Sequence, residues 1–197
     1  MSALMSLENR GNTPFTLQHR EQAMPKLITF VIVSLAIIFF SRNSLRKPSS
    51  HGFFRFFAFE CILLLILVNV EHWFREPFSA AQIISWLLLL SSLIMAVHGF
   101  YLLRVVGRPK GGIEDTSVLV RRGAYRYIRH PLYSSLLLFA WGTFLKDPSL
   151  LSIFLAVVAS AFLVATARIE EVENIRKFGD DYVTYMRETK MFIPFLI

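Results

Sequence analysis

The chain is organised around one stretch at positions 123–133, which reads GAYRYIRHPLY. A basic, polar loop turns there into an apolar helix, and the stretch supplies one histidine, two arginines and three tyrosines. Pro131 is suited to the first helical position, where its missing N–H costs nothing. Charged and aromatic groups therefore gather at the mouth of an apolar segment, and we expect a ligand site there.

The composition around this stretch is typical of a membrane protein. Of 197 residues, 54% are apolar and 18% are charged, and the mean hydropathy is +0.51. That apolar share exceeds the usual share of a soluble domain, and several long apolar runs make the bilayer the expected solvent. The sequence therefore predicts an all-α, polytopic membrane protein that forms one membrane domain over residues 1–197.

Five apolar runs predict about five transmembrane helices. They are Leu27–Ser41, Phe53–Phe74, Ala80–Leu103, Leu132–Leu145 and Leu150–Ala167. We expect a polar N-terminus over 1–25 that is loose or lies on the surface, three spans within 26–103, and a ligand-binding half over 104–197. The turn Lys146-Asp147-Pro148-Ser149 joins the last two runs into a helical hairpin.

Three residues inside the apolar runs carry polar or reactive groups. Glu60 is either a site or gating residue, or a buried partner of an arginine from another helix or a protonated acid. His98 is interpreted as a packed interfacial residue rather than a ligand. Cys61, the single cysteine, excludes an internal disulfide and is expected to be a buried thiol. The sequence shows no cluster of ligands that would suggest structural zinc.

Basic residues predict the orientation in the membrane, because cytoplasmic loops carry an excess of Lys and Arg. Segments 42–55 and 104–130 and the tail from 168 hold sixteen of the 21 basic residues, and the remaining segments hold five. With five spans, the three basic regions share one side. We therefore expect a cytoplasmic C-terminus and contact with anionic lipids. No cleavable signal peptide is expected, since no small-residue cleavage site follows the first apolar run.

Two polar constellations flank the predicted hairpin. The first consists of Tyr125, Arg129, His130 and Tyr133, and the second of Arg168, Glu170, Glu171 and Glu173, followed by Tyr182 and Tyr185. Because a hairpin returns the chain to the same face, the two groups should meet. A pocket with donors on one wall and carboxylates on the other suits a zwitterionic ligand. The alternative is that arginines pair with glutamates only to orient the helices.

The segment 168–190 has apolar positions at spacings of three, four and seven, which predicts an amphipathic helix. Gly179 interrupts it, so we expect two helical pieces. The final residues 191–197 form a short apolar tail that can dock on the membrane face.

The motif Gly-x-Tyr-x-x-x-Arg-His-Pro-x-Tyr at 123–133 resembles the signature of the membrane methyltransferases related to isoprenylcysteine carboxyl methyltransferase and phospholipid N-methyltransferases. Glu170-Glu171, Phe178-Gly179-Asp180-Asp181-Tyr182 with Tyr185, and Ile193-Pro194 are similar to that family's ending. The resemblance covers roughly 100–197. It implies S-adenosylmethionine as the cofactor and methyl transfer to a lipophilic acceptor: an isoprenylcysteine-like carboxylate, a lipid amine or another small molecule.

The resemblance also implies roles for individual residues. It assigns cofactor binding to Tyr125, Arg129, His130, Tyr133, Glu170 and Glu171, and catalytic roles to Arg168 and Glu171. Such a site would lie between the membrane and the cytoplasm. Where the family has a glycine soon after the last tyrosine of the motif, this chain has Ser134-Ser135.

Two other classes of function remain open at this point. The tail Tyr182…Arg187…Ile193-Pro194-Phe195 also resembles the end of sterol and steroid reductases, which use a nicotinamide cofactor. A non-catalytic membrane partner protein is the third class. Nucleic-acid binding is not expected, because the sequence shows no basic recognition module. The oligomeric state and the acceptor atom stay open.

Overall fold

The computed structural model describes residues 15–111 and 115–194, and the regular structure in those ranges is helical. The helices are α1 Phe15–Leu45, α2 His51–Asn69, α3 Ala80–Val105, α4 Pro131–Phe144, α5 Leu150–Phe178 and α6 Asp180–Glu188. Short 3₁₀ turns occupy Val70–His72 and Gly123–Arg126. The predicted all-α membrane fold is therefore confirmed.

The predicted number of about five transmembrane helices is one too high. Within the described ranges, four segments are long and apolar enough to cross a membrane: Ala23–Leu45, His51–His72, Ala80–Val105 and Leu150–Phe178. Helix α4 has 14 residues and is about 21 Å long, whereas the hydrocarbon layer is about 30 Å thick. Helix α4 still runs from one end of the bundle to the other, and both of its ends are anchored by polar contacts.

The N-terminal helix begins earlier than the sequence suggested. Residues 1–25 were predicted to be loose or to lie on the surface. Residues 15–25 are not loose, because α1 starts at Phe15 and continues through Pro25; residues 1–14 lie outside the described part of the chain. A proline weakens a helix by removing one N–H donor, yet helices that cross membranes tolerate proline when neighbouring groups satisfy the freed carbonyl. Proline was therefore a poor boundary signal here.

The interior of the bundle forms where α2, α4 and α5 meet. Leu65, Ala140, Ala156 and Ala159 are fully buried there, beside Ile62. Small side chains such as alanine let helix backbones approach closely, which is how helices associate in lipid. The hairpin of α4 and α5 therefore packs against α2.

Polar side chains fix the end of the bundle where α4 finishes. The Asn69 amide donates to the Thr143 carbonyl at 2.9 Å and accepts from the Ser152 hydroxyl at 2.9 Å. The Ser85 hydroxyl donates to the carbonyl of Gly142 at 2.7 Å. These bonds set the register of α4, and thereby the position of its first residues at the opposite end.

Glu60 contacts a hydroxyl rather than an arginine. The Ser34 hydroxyl on α1 lies 2.9 and 3.0 Å from the two carboxylate oxygens of Glu60 on α2. The contact joins α1 to α2, so the arginine partner that the sequence suggested is replaced by serine.

Candidate functional site

The turn before α4 is packed tightly onto α3 through a glycine. Gly123 has φ +57°, and a Cβ there would lie 2.4 Å from His98 Nε2 and 2.8 Å from Leu102 Cδ1. The backbone N–H of Ala124 donates to His98 Nε2 at 3.4 Å. His98 is thus a packing residue that holds the start of the 123–133 stretch, as its position suggested.

Pro131 opens α4, and His130 is the residue immediately before it. The His130 ring is buried and stacks on the Tyr133 ring, with centroids 5.4 Å apart and an interplanar angle of 18°. The stacking fixes both side chains at the entrance of the helix, where α4 meets α5.

The second constellation lies on a continuous extension of α5. The helix does not stop at Ala167, where the apolar run ends, but continues to Phe178. Gly179, with φ +60°, ends it, and α6 begins at Asp180. The predicted interruption at Gly179 is confirmed, and residues 168–178 continue the helix of the preceding span without a break.

The two constellations meet in a buried ionic cluster. Arg129 Nε donates to Glu171 Oε1 at 2.5 Å, and His130 Nε2 lies 3.3 Å from the same oxygen. The Glu171 and Arg129 side chains are 8% and 10% exposed. Arg129 also donates through Nη1 to the carbonyls of Met186 and Thr189, at 3.2 and 2.5 Å. One guanidinium therefore joins the 123–133 stretch, α5 and the end of α6.

A second contact crosses the same interface and borders a cavity. The Tyr133 hydroxyl donates to Glu170 Oε2 at 2.5 Å. The adjoining cavity holds about 570 Å³ of space, counting its open mouth. Its walls include Leu103, Thr116, Leu119, Val120, Tyr125, Arg129, His130, Leu132, Tyr133, Glu170, Asn174, Phe178, Tyr182 and Tyr185.

Two tyrosines of α6 close one side of this cavity. Tyr182 and Tyr185 are each 2% exposed, and the Tyr185 hydroxyl donates to the Tyr125 carbonyl at 2.6 Å. Burial raises the pKa of both phenols well above the ordinary value for tyrosine. Both are therefore protonated at neutral pH and can donate hydrogen bonds.

The C-terminal tail binds the backbone of the 123–133 stretch. The N–H groups of Arg129 and His130 donate to the carbonyls of Lys190 and Met191, at 2.8 and 3.2 Å. The Ser134 hydroxyl donates to the Phe192 carbonyl at 2.8 Å. Residues 190–192 thus bind the 123–133 stretch and the first turn of α4, and docking of the tail on the membrane face stays a prediction. Residues 195–197 lie outside the described part. Ser134, which stands near the glycine position of the family motif, has a partner that the sequence did not reveal.

The structure brings most of the predicted site residues together. Tyr125, Arg129, His130, Tyr133 and Glu170 line the cavity, and Glu171 lies directly behind them through Arg129 and His130. Asn174 was missed by the sequence reasoning, although it follows Glu170 by one helical turn and so shares its face.

Arg168 is the exception among the predicted site residues. An α-helix turns by about 100° per residue, so Arg168 lies about 200° around α5 from Glu170. Its exposed side chain borders a different groove, together with Lys47 and Arg176. The catalytic role of Arg168 therefore stays a prediction, for a residue outside the cavity.

Comparison with known proteins bears on this arrangement. A model of the phospholipid methyltransferase family matches residues 80–181, more than half of the chain. The chain belongs to the phospholipid methyltransferase family. The matched segment starts with α3 and ends at the beginning of α6, so the family's shared part contains the 123–133 stretch, the hairpin and both glutamates.

Individual relatives of the family match shorter or longer parts of the chain. Protein-S-isoprenylcysteine O-methyltransferase B of Arabidopsis thaliana is 31% identical over 129 residues, 64% of this chain and 62% of the relative. The Saccharomyces cerevisiae Protein-S-isoprenylcysteine O-methyltransferase is 35% identical over 85 residues, 42% of this chain and 35% of the relative. Methanethiol S-methyltransferase of Pseudomonas sp. (strain GM41(2012)) is 29% identical over 70 residues, 36% of this chain and 26% of the relative. The chain thus matches between about a quarter and three fifths of the length of these relatives.

Proposed function

We propose that this member of the phospholipid methyltransferase family transfers a methyl group from S-adenosylmethionine to a lipophilic acceptor at the membrane–water boundary. The observation that carries the proposal is the meeting of the two halves of the motif. Tyr133 binds Glu170, and Arg129 and His130 bind Glu171, around one cavity.

The residues of the cavity fit a zwitterionic nucleoside. Tyr133 occupies one carboxylate oxygen of Glu170, which leaves the other as an acceptor for an ammonium or a ribose hydroxyl. The rings of Tyr182 and Phe178 supply flat apolar surfaces of the kind on which an adenine can stack. Glu170, Tyr133, Tyr125 and Tyr182 would therefore hold the cofactor.

The catalytic contribution of the protein is positioning. S-adenosylmethionine supplies a methyl group on a sulfonium, which is already a good leaving group. Glu171 lies behind the cavity wall and binds Arg129 and His130, which line the cavity. Glu171 therefore acts as a positioning residue. Leu103, Val120 and Leu132 line the cavity with apolar surface and limit the access of water. Holding two reactants in alignment can supply several kcal/mol of a reaction barrier.

A lipophilic acceptor would enter from the bilayer. Leu132 borders the cavity and also an apolar groove on α3 formed by Val97, Phe100 and Tyr101. The two spaces share one wall, so an acceptor in the groove lies beside the cavity. Analysis of the methylated product identifies the acceptor atom as oxygen, nitrogen or sulfur.

We further propose that the cavity and the C-terminus face the cytoplasm. The three basic regions lie at one end of the bundle: His51 contacts Glu173, and Arg129 contacts Glu171. The excess of Lys and Arg at this end is the cytoplasmic signature. When fused to the C-terminus, a reporter that functions in the cytoplasm should be active, and one that functions only on the other side of the membrane should be inactive. The reverse result would reject this orientation.

The test of the proposed activity is binding followed by product analysis. The purified full chain should bind S-adenosylhomocysteine saturably, and Glu170→Gln should weaken that binding at least about tenfold, the equivalent of one charge-assisted hydrogen bond. Glu188→Gln, an exposed acid on α6, is the matched control and should bind as the parent does. Labelled methyl groups should then appear in a lipid-extract product.

Three results would contradict the proposal. If the chain binds NADPH but not S-adenosylhomocysteine, it is a reductase, and if it binds neither, it is a non-catalytic partner protein. If Glu170→Gln and Glu188→Gln weaken S-adenosylhomocysteine binding equally, the site assignment is wrong.

A further inference from the structure

A second groove lies on the opposite face of α5 from the cavity. It holds about 1050 Å³ of space, counting its open side, and runs between the α1–α2 connection and α5. Arg168, Val172 and Arg176 border it from α5, and Lys47 and Ser49 border it from the connection. Residues 168, 172 and 176 are spaced by four, so they form one row along the helix.

The groove has an excess of unpaired positive charge. Within the part of the chain that the structure describes, Lys47, Arg168 and Arg176 have no carboxylate partner in hydrogen-bond or ion-pair range. The acid of the groove, Glu173, is already bound: its Oε2 lies 2.5 Å from His51 Nδ1, and its Oε1 accepts from the His51 backbone N–H at 3.4 Å. Three cations that share one concave surface repel one another, and an anion placed among them relieves that repulsion.

The position of the groove selects the kind of anion. Arg168 immediately follows the apolar run that ends at Ala167, and Lys47 comes two residues after the end of α1 at Leu45. Both therefore lie where hydrocarbon gives way to head groups. A ligand whose anionic head lies at this level and whose apolar body lies in the adjoining hydrocarbon fits this position.

We infer that this groove binds the phosphate head group of an anionic membrane phospholipid, held by Lys47, Arg168 and Arg176. The site is separate from the methyl-transfer cavity, and its test does not depend on that activity. An arginine pair suits phosphate because guanidinium groups donate two parallel hydrogen bonds to its oxygens, while lysine contributes a point charge.

The test is a lipid titration of the full chain in detergent, read by native mass spectrometry. Phosphatidylglycerol should bind more tightly than phosphatidylcholine with the same acyl chains. The double variant Lys47→Gln/Arg176→Gln should bind phosphatidylglycerol at least about tenfold more weakly, because each cation near an anionic lipid contributes to affinity. The charge-conserving pair Lys47→Arg/Arg176→Lys keeps both positive charges and should therefore lose less affinity than the double glutamine variant.

The matched control removes two other cations from the same end of the molecule. Arg122 and Arg187 are exposed and lie outside the groove, so Arg122→Gln/Arg187→Gln should bind phosphatidylglycerol as the parent does. Equal losses in both double variants would overturn the site, as would equal affinity for the two lipids. Inorganic phosphate is the remaining probe: if it binds alone as tightly as the lipid, the groove serves a soluble phosphate and the inference fails.

Discussion

The buried cluster around Glu171 allows a quantitative prediction for Glu171→Gln. The substitution keeps the size of the side chain and one oxygen acceptor, and removes the negative charge. Arg129 and His130 then share a site that no longer holds a compensating anion. The change therefore isolates the charge of Glu171 from its packing.

The magnitude follows from the contacts that survive. Removing one partner of a buried ion pair costs about 3–5 kcal/mol when the other charge is left uncompensated. Here Arg129 retains the carbonyls of Met186 and Thr189, and glutamine can still accept one hydrogen bond. We therefore expect a loss of about 2–3 kcal/mol in the free energy of unfolding, somewhat below that range.

Thermal unfolding of the detergent-solubilised chain is the assay. For a chain of this length the expected loss lowers the midpoint by about 4–12 °C. Glu188→Gln, which changes an exposed glutamate at the end of α6, should stay within about 1 °C of the parent. A midpoint for Glu171→Gln that also stays within about 1 °C would refute the reasoning, because the ionic cluster would then contribute nothing measurable.

Two further predictions concern the backbone of the site and the opposite end of the bundle. Gly123→Ala should destabilise the chain more than Gly179→Ala: both glycines have positive φ, but a Cβ at 123 also meets His98 whereas a Cβ at 179 meets nothing within 4 Å. In chemical unfolding, the double variant Gly123→Ala/His98→Ala should regain part of the free energy of unfolding that Gly123→Ala loses. If it regains none, a clash with His98 is not the cause. Burial lowers the pKa of Lys146, whose ammonium donates to Gln82 at 2.9 Å. The unfolded chain then binds the proton more readily, so stability should rise with pH from the lowered pKa up to about 10.4, the ordinary value. Lys146→Met should remove that rise, and a pH profile identical to the parent's would contradict the assignment.

Local signals in the sequence determined where several helices start and stop. Pro131 marks the beginning of α4, and Gly179 marks the end of α5, because one lacks an N–H and the other adopts a positive φ that other residues avoid. The polar turn at 146–149 likewise predicted the hairpin. A hairpin returns the chain to its starting end, so the meeting of the 123–133 stretch with Glu170 and Glu171 was also predictable.

The tertiary structure decided which face of each helix packs against protein, which lines the cavity and which borders another groove. The sequence grouped Arg168 with the two glutamates, but the helical phase of α5 turns it toward a different groove. An apolar helix in lipid is hydrophobic nearly all round, so its sequence carries little information about the side that meets protein. Two other contacts join residues far apart in the chain. Residues 190–192 bind beside the site, and Ser34 binds Glu60. Such pairings are fixed only when the whole bundle packs.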